Sequence, residues 1–159
     1  MKATYHSPVI ESLRTEDPKQ TAALLHAIYH SAQAGIETLK EMKRQTDINI
    51  FSSELDVILE NCEDAATQSS RELMRVGEAI QNTGMLEKAA MRSGVMFSAM
   101  MKPSVSAMAQ TAIEGCTMGI TEIQRALNEN HSAGFRARSM AQEYLSSMED
   151  GQRRLKDYL

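Results

Sequence analysis

The 159-residue chain has no tryptophan, only three phenylalanines and three prolines, and only two cysteines. No long Val/Ile/Thr run alternates with a period of two, and turn-forming residues are few, so the sequence does not support a β-sheet protein. Cys62 and Cys116 are far apart in sequence and neither belongs to a CxxC pair, which excludes the usual zinc and thiol-redox motifs. We expect both cysteines to be buried, reduced thiols.

Apolar residues make up 42% of the chain. Most of them are Leu, Ile, Ala and Met, and Met alone occurs twelve times. These residue types favour helices packed on helices. A chain of this length fits one domain with one sizeable core, because about two-thirds of the unfolded surface is buried on folding. The composition therefore predicts an all-α protein.

Charge and hydropathy exclude two classes of partner. The net charge is −4, and Lys and Arg are scattered, so no basic stripe with interleaved aromatic residues exists to bind a nucleic-acid backbone. The N-terminal residues lack the apolar run of a signal peptide, and no stretch reaches the roughly 18 apolar residues that span a bilayer. We expect a soluble cytoplasmic protein.

Helix caps and apolar periodicity divide the chain into an N-terminal arm, residues 1–17, and one helical domain, residues 18–159. Thr15-Glu16-Asp17-Pro18 is typical of a helix start, and so is Ser52-Ser53-Glu54-Leu55-Asp56. The short connection between the first two helices predicts an antiparallel hairpin. The predicted helices cover residues 18–45, about 52–81, about 85–101, about 103–130, and 135 to the C-terminus.

Residues 85–101 carry apolar side chains, many of them Met, on more than one side of the helix. A helix of this kind is buried twice. We interpret it as a crossover helix that packs on its own bundle and is then covered by a second subunit, which predicts a homodimer through this Met-rich surface.

Two helical hairpins joined by a crossover, with the small-residue stretches SAQAG and TAIEG in the first helix of each hairpin, resemble the ferritin-like four-helix-bundle superfamily, in particular its small bacterial families. The resemblance implies an antiparallel four-helix bundle over roughly residues 18–157. It also implies a possible di-iron or di-manganese carboxylate site in the bundle core.

The superfamily's ligands are one Glu from each of two helices and a Glu-x-x-His from each of the other two. This sequence contains no Glu-x-x-His, and Ser146 stands where one His would be. No carboxylate falls at the centre of a predicted apolar face, so we predict a dry interior and a degenerate metal site. The nearest replacement for the metal ligands is the set Glu37, Glu60, Glu63, Glu122 and Glu143.

His26 and His30 lie four residues apart, on the helix stripe that also carries Glu37 and faces away from the predicted core. Two interpretations stay open. The pair holds a surface zinc ion with Glu37 or with a carboxylate of a second subunit, or it is two neutral imidazoles on a solvated face.

No Ser/His/Asp set, Cys/His set or Gly-rich phosphate loop is evident, so we predict a non-enzymatic protein without a cofactor, with a structural or interaction role. Three alternatives remain. One is a carboxylate-bridged iron or manganese bundle. The second is a histidine phosphotransfer bundle that uses His30, although Gln33-Ala34-Gly35 replaces the Lys-Gly typical of such domains. The third is a small apolar ligand between Met-lined helices.

Overall fold

The computed structural model describes residues 15–81 and 102–159. Within these ranges the backbone forms four α-helices and no strand, which confirms the all-α prediction. Most of the predicted arm and the predicted crossover helix at 85–101 lie outside the described residues. The helices are α1 (Pro18–Gln45), α2 (Asn49–Arg75), α3 (Val105–Glu129) and α4 (Phe135–Leu155), and a 3-10 turn follows at Lys156–Tyr158.

Helix α1 begins at Pro18, as its sequence predicts. The Asp17 carboxylate accepts hydrogen bonds from the backbone amides of Lys19 at 2.9 Å and Gln20 at 3.4 Å, and Pro18 occupies the first turn. The side chain satisfies amides that have no partner inside the helix, and the proline ring fixes a helical φ.

Both predicted ends of α2 were wrong. The helix begins at Asn49 rather than Ser52, and its N-cap residue makes no side-chain hydrogen bond. It ends at Arg75 because Gly77, with φ of 80°, reverses the chain: its amide donates to Met74 O at 3.1 Å, and the next amide donates to the carbonyl of residue 73 at 2.9 Å. This is a Schellman end, which glycine favours. Val76 and Ile80, which would lie on the apolar face of α2 if the helix continued to residue 81, are each 37% exposed.

The four helices form a closed ring of contacts in which α1 packs on α2 and α3, and α4 packs on the same two helices. At one end Asp17 N donates to Ser132 O at 2.8 Å, which joins the start of α1 to the turn between α3 and α4. At the other end the rings of Phe51 and Tyr158 meet edge to face, 5.1 Å apart. Helices α1 and α4 therefore run in one direction, and α2 and α3 run in the other.

One continuous core fills the space between the four helices. The apolar stripe predicted for α1 is buried in full, which confirms its spacing. The residues of that stripe are Leu25, Ile28, Ala32, Leu39 and Met42.

Candidate functional site

Midway along the bundle the core turns polar. Ser31, Cys62, Tyr144 and Met148 each lie near the middle of a helix and are all buried; we call them the central cluster. The Tyr144 hydroxyl lies 3.8 Å from Cys62 Sγ, and the Ser31 side chain lies near enough to lower the pKa of Tyr144, against the larger effect of burial. Because buried polar groups are costly without partners, these contacts explain how a tyrosine and a serine are accommodated at this depth.

Two glycines let the helices close around the central cluster. A Cβ atom added at Gly35 would lie 3.0 Å from Cys62 Sγ, and one added at Gly119 would lie 2.7 Å from Met148 Sδ and 3.2 Å from Ser31 Oγ. Such distances are shorter than ordinary van der Waals contact, so a side chain at Gly119 requires its neighbours to shift. The centre of the bundle is thus close-packed.

Burial keeps the titratable groups of this region neutral. It raises the pKa of Cys62 to about 11 and the pKa of Cys116, a half-buried free thiol, to about 12. Burial also raises the pKa of Tyr144 well above its ordinary value. A thiol is nucleophilic only as thiolate, so the arrangement disfavours cysteine catalysis at neutral pH.

The carboxylates proposed as metal ligands lie mostly at the surface. Glu37, Glu60, Glu63 and Glu143 are exposed, and Glu63 forms an ion pair with Lys40 at 3.6 Å. Glu122 is half-buried, and burial raises its pKa although Arg125 acts in the opposite direction. Among residues 15–81 and 102–159, no group of three or more His, Cys, Asp or Glu side chains is placed to hold a metal ion.

The two histidines are less exposed than predicted. The rings of His26 and His30 stack with centroids 5.9 Å apart and an angle of 15° between their planes, and both residues are half-buried. Tyr29 packs edge-on against His30 with the centroids 5.6 Å apart. Burial and the neighbouring His26 lower the pKa of His30, so its neutral form is favoured. Each imidazole covers part of the other, which a helical wheel does not show.

A groove of about 190 Å³, which the sequence did not predict, lies between α2 and α4. We call it the α2–α4 groove. Its polar walls are Asn61, Asp64, Gln68, Glu143 and Ser147, and its apolar surface is formed by Ile28, Ala65, Met140 and Tyr144. The sequence did contain one signal for this groove, the spacing of its polar residues. Asn61, Asp64 and Gln68 line one side of α2, and Glu143 and Ser147 lie one turn apart on α4.

Comparison of the chain with family models, with curated proteins and with solved structures finds no match. Within the described residues, no helix combines the length and the apolar character needed to cross a bilayer. Any assignment of function therefore depends on the geometry described above.

Proposed function

We propose that the protein is a ferritin-like four-helix bundle with a structural or interaction role, and that packed side chains occupy the place of a di-metal centre. The observation that carries the proposal is the central cluster. Near the middle of the four helices, where the resemblance implies inward metal ligands, the buried Tyr144 lies beside Cys62 and Ser31.

Converting this centre into a carboxylate site would require several changes at once. Exposed carboxylates such as Glu63 would have to leave water, and Glu63 would have to leave Lys40. Burying a carboxylate without a compensating charge costs several kcal/mol. Tyr144 and Met148 would also have to vacate the core, where they are 4% and 5% exposed. The packed arrangement is therefore the favoured state of this chain.

Exposed apolar side chains at both ends of the bundle favour an interaction role. At one end Ile50 is 74% and Leu159 61% exposed, beside the Phe51–Tyr158 ring pair. At the opposite end Phe135 is 80% exposed. Grouped apolar side chains at a protein surface commonly mark contact sites. The homodimer proposed through residues 85–101 would add a further surface of the same character.

Sedimentation equilibrium on the full chain over a wide concentration range tests the association. We expect a dimer whose dissociation constant rises at least tenfold in Met96→Glu, within the proposed crossover, while Glu60→Gln serves as the matched surface control. Circular dichroism of each variant verifies that the helices persist. A monomer at every concentration would contradict the proposed homodimer.

The alternative function is a carboxylate-bridged iron or manganese bundle. The half-buried Glu122 favours this alternative, because its carboxyl lies partly out of water. A ligand at one hundred times its dissociation constant stabilises the folded state by about 2.7 kcal/mol. Thermal unfolding with added Fe²⁺ or Mn²⁺ under anaerobic conditions therefore tests the alternative. We expect no shift. A shift that Glu63→Ala or Glu122→Gln abolishes would establish the metal bundle.

Thermal unfolding with added Zn²⁺ distinguishes the proposed surface zinc site from a metal site in the bundle centre. Zinc would bind through the imidazole nitrogens of His26 and His30, so His30→Ala removes a zinc-dependent shift and Glu63→Ala leaves it in place. A shift with this pattern would assign zinc to the surface pair and leave the packed centre unchanged.

A further inference from the structure

We propose that Val9, Ile10 and Leu13 of the N-terminal arm dock on Phe135 and cover the apolar surface at the start of α4. The inference names the occupant of one of the two exposed apolar ends of the bundle. Its test reads out Phe135 alone, so its failure would leave the proposals for the bundle centre and for residues 85–101 in place.

The surface to be covered lies where α4 begins. Phe135 is the first residue of α4 and is 80% exposed. Because Cα–Cβ bonds in a helix tilt toward its N-terminus, the ring is directed toward the end of the bundle. The last turn of α2 lies beside it, since Arg136 Nε is 3.1 Å from Glu72 Oε2. Val76 is exposed and follows Glu72 by four residues, so it lies on the side of α2 that faces the start of α4.

The chain enters the bundle at this same point. Glu16 Oε1 accepts a hydrogen bond from the backbone amide of Phe135 at 3.2 Å, and so satisfies a helix-end amide that the N-cap residue Gly134 leaves without a side-chain partner. A Cβ atom added at Gly134 would lie 2.8 Å from Glu16 Oε2, so glycine at this position makes room for the carboxylate. The arm therefore joins the described chain next to the exposed ring.

Three further hydrogen bonds fix this junction. The amide of Asp17 donates to Ser132 O at 2.8 Å. The amide of Ser132 donates to Gln20 Oε1 at 2.8 Å, and the amide of Gly134 donates to Thr21 Oγ1 at 2.8 Å. Because these bonds tie the start of α1 to the turn before α4, the arm departs from a point that is fixed relative to Phe135.

The arm carries a matching apolar group. All the Val, Ile and Leu residues of positions 1–14 fall within residues 9–13. They are Val9, Ile10 and Leu13, whose spacings of three and four residues would place them on one side of a helical turn. Burying apolar side chains against an exposed phenylalanine removes both surfaces from water, which is the driving force for the contact.

Reach selects the Phe135 end over the opposite end. Ile10 precedes Glu16 by six residues, so it lies within roughly 20 Å of Glu16 even when the chain is fully extended. The other exposed apolar end, which carries Ile50, is separated from Glu16 by the 28 residues of α1, a length of about 42 Å. The apolar group of the arm can therefore contact Phe135 and cannot contact Ile50.

Fluorescence tests the proposal, because the chain has no tryptophan and Phe135→Trp introduces a single fluorophore. At 80% exposure the larger ring fits without repacking the core. When Ile10→Asp is added in the full chain, we expect acrylamide quenching of this tryptophan to increase about twofold or more and its emission to shift to longer wavelength, because the ring returns to water. Leu13→Asp should give the same result.

Two controls separate docking from other causes. Thr4→Asp makes the same change of charge in the arm outside the apolar group, and it should leave the quenching unchanged. Ile50→Trp, made in a chain that keeps Phe135, reports on the opposite end and should not respond to Ile10→Asp. Circular dichroism verifies that the helices persist in each variant.

Three results would overturn the proposal. The first is equal quenching of the Phe135→Trp chain with and without Ile10→Asp. The second is an equal response to Thr4→Asp, because the effect would then follow charge. The third is an emission that changes with protein concentration and not with Ile10→Asp, because a second copy of the chain would then cover Phe135.

Discussion

Replacing Gly119 by alanine tests the close packing at the centre of the bundle, and Gly115 on the same helix provides the comparison. Alanine is preferred over glycine inside a helix by about 1 kcal/mol, and both positions lie within α3. At Gly115 a new Cβ would meet nothing within 4 Å, so the full gain is expected. At Gly119 it would lie 2.7 Å from Met148 Sδ, and overpacking costs about 1–3 kcal/mol.

The two variants should therefore differ in free energy of unfolding by about 1–3 kcal/mol, with Gly115→Ala the more stable. For a chain of this size 1 kcal/mol corresponds to about 2–4 °C in melting temperature. Urea unfolding followed by circular dichroism measures the difference. Gly119→Ala should cost less when Met148 is already alanine, because the contacting sulfur is gone. Equal stabilisation by both single variants would refute the close packing.

Three further predictions concern single side chains. Asp17→Ala should lower the free energy of unfolding by about 0.5–2 kcal/mol in urea titrations, because two amides lose their cap; an unchanged midpoint would contradict the capping role. Glu72, which is 4% exposed, pairs with Arg75 and Arg136, and its hydrogen bond from Arg75 lowers its pKa below the ordinary 4.5. Because the pKa is lower in the folded state, the ionised carboxylate stabilises the fold at a pH above the unfolded-state pKa, and this stabilisation is lost as the pH falls through the folded-state pKa. Glu72→Gln should therefore cost about 1 kcal/mol at pH 7 and progressively less below about pH 4.5. An equal cost at pH 7 and pH 3 would exclude the charge as the cause. With a pKa of about 11, the Cys62 thiol should react with a thiol reagent at pH 8 far more slowly than in urea-unfolded protein, and equal rates would disprove its burial.

Local signals predicted α1 and α4 well because their ends are set by residues at the ends themselves. Asp17-Pro18 caps and opens α1, and Gly134 precedes Phe135 at the start of α4. The end of α2 was not predicted, because Asn82-Thr83-Gly84 is an ordinary stop signal and Gly77 lies inside an apolar period that continues past it. The Schellman bonds of Gly77 depend on a φ that sequence periodicity does not reveal.

The central cluster could not be predicted, since a helical wheel gives the direction of a side chain but not its level along the bundle. Cys62 was predicted to be buried, and both Cys62 and Tyr144 are. Their contact requires the register between α2 and α4, which is set by packing of the whole core and not by either helix alone. The α2–α4 groove depends on the same register, so its polar residues were not recognised as neighbours.

The metal content of the protein is the most direct test of a bundle centre occupied by side chains. The protein would be purified without a tag after growth with added iron, manganese and zinc, and its metals would be measured by mass spectrometry. We predict no stoichiometric iron or manganese, because the proposed bundle has the buried side chains of Tyr144, Cys62 and Ser31 at its centre. About two iron or manganese ions per chain, lost on changing Glu63 to Ala, would contradict the packed centre and identify the carboxylates as the site.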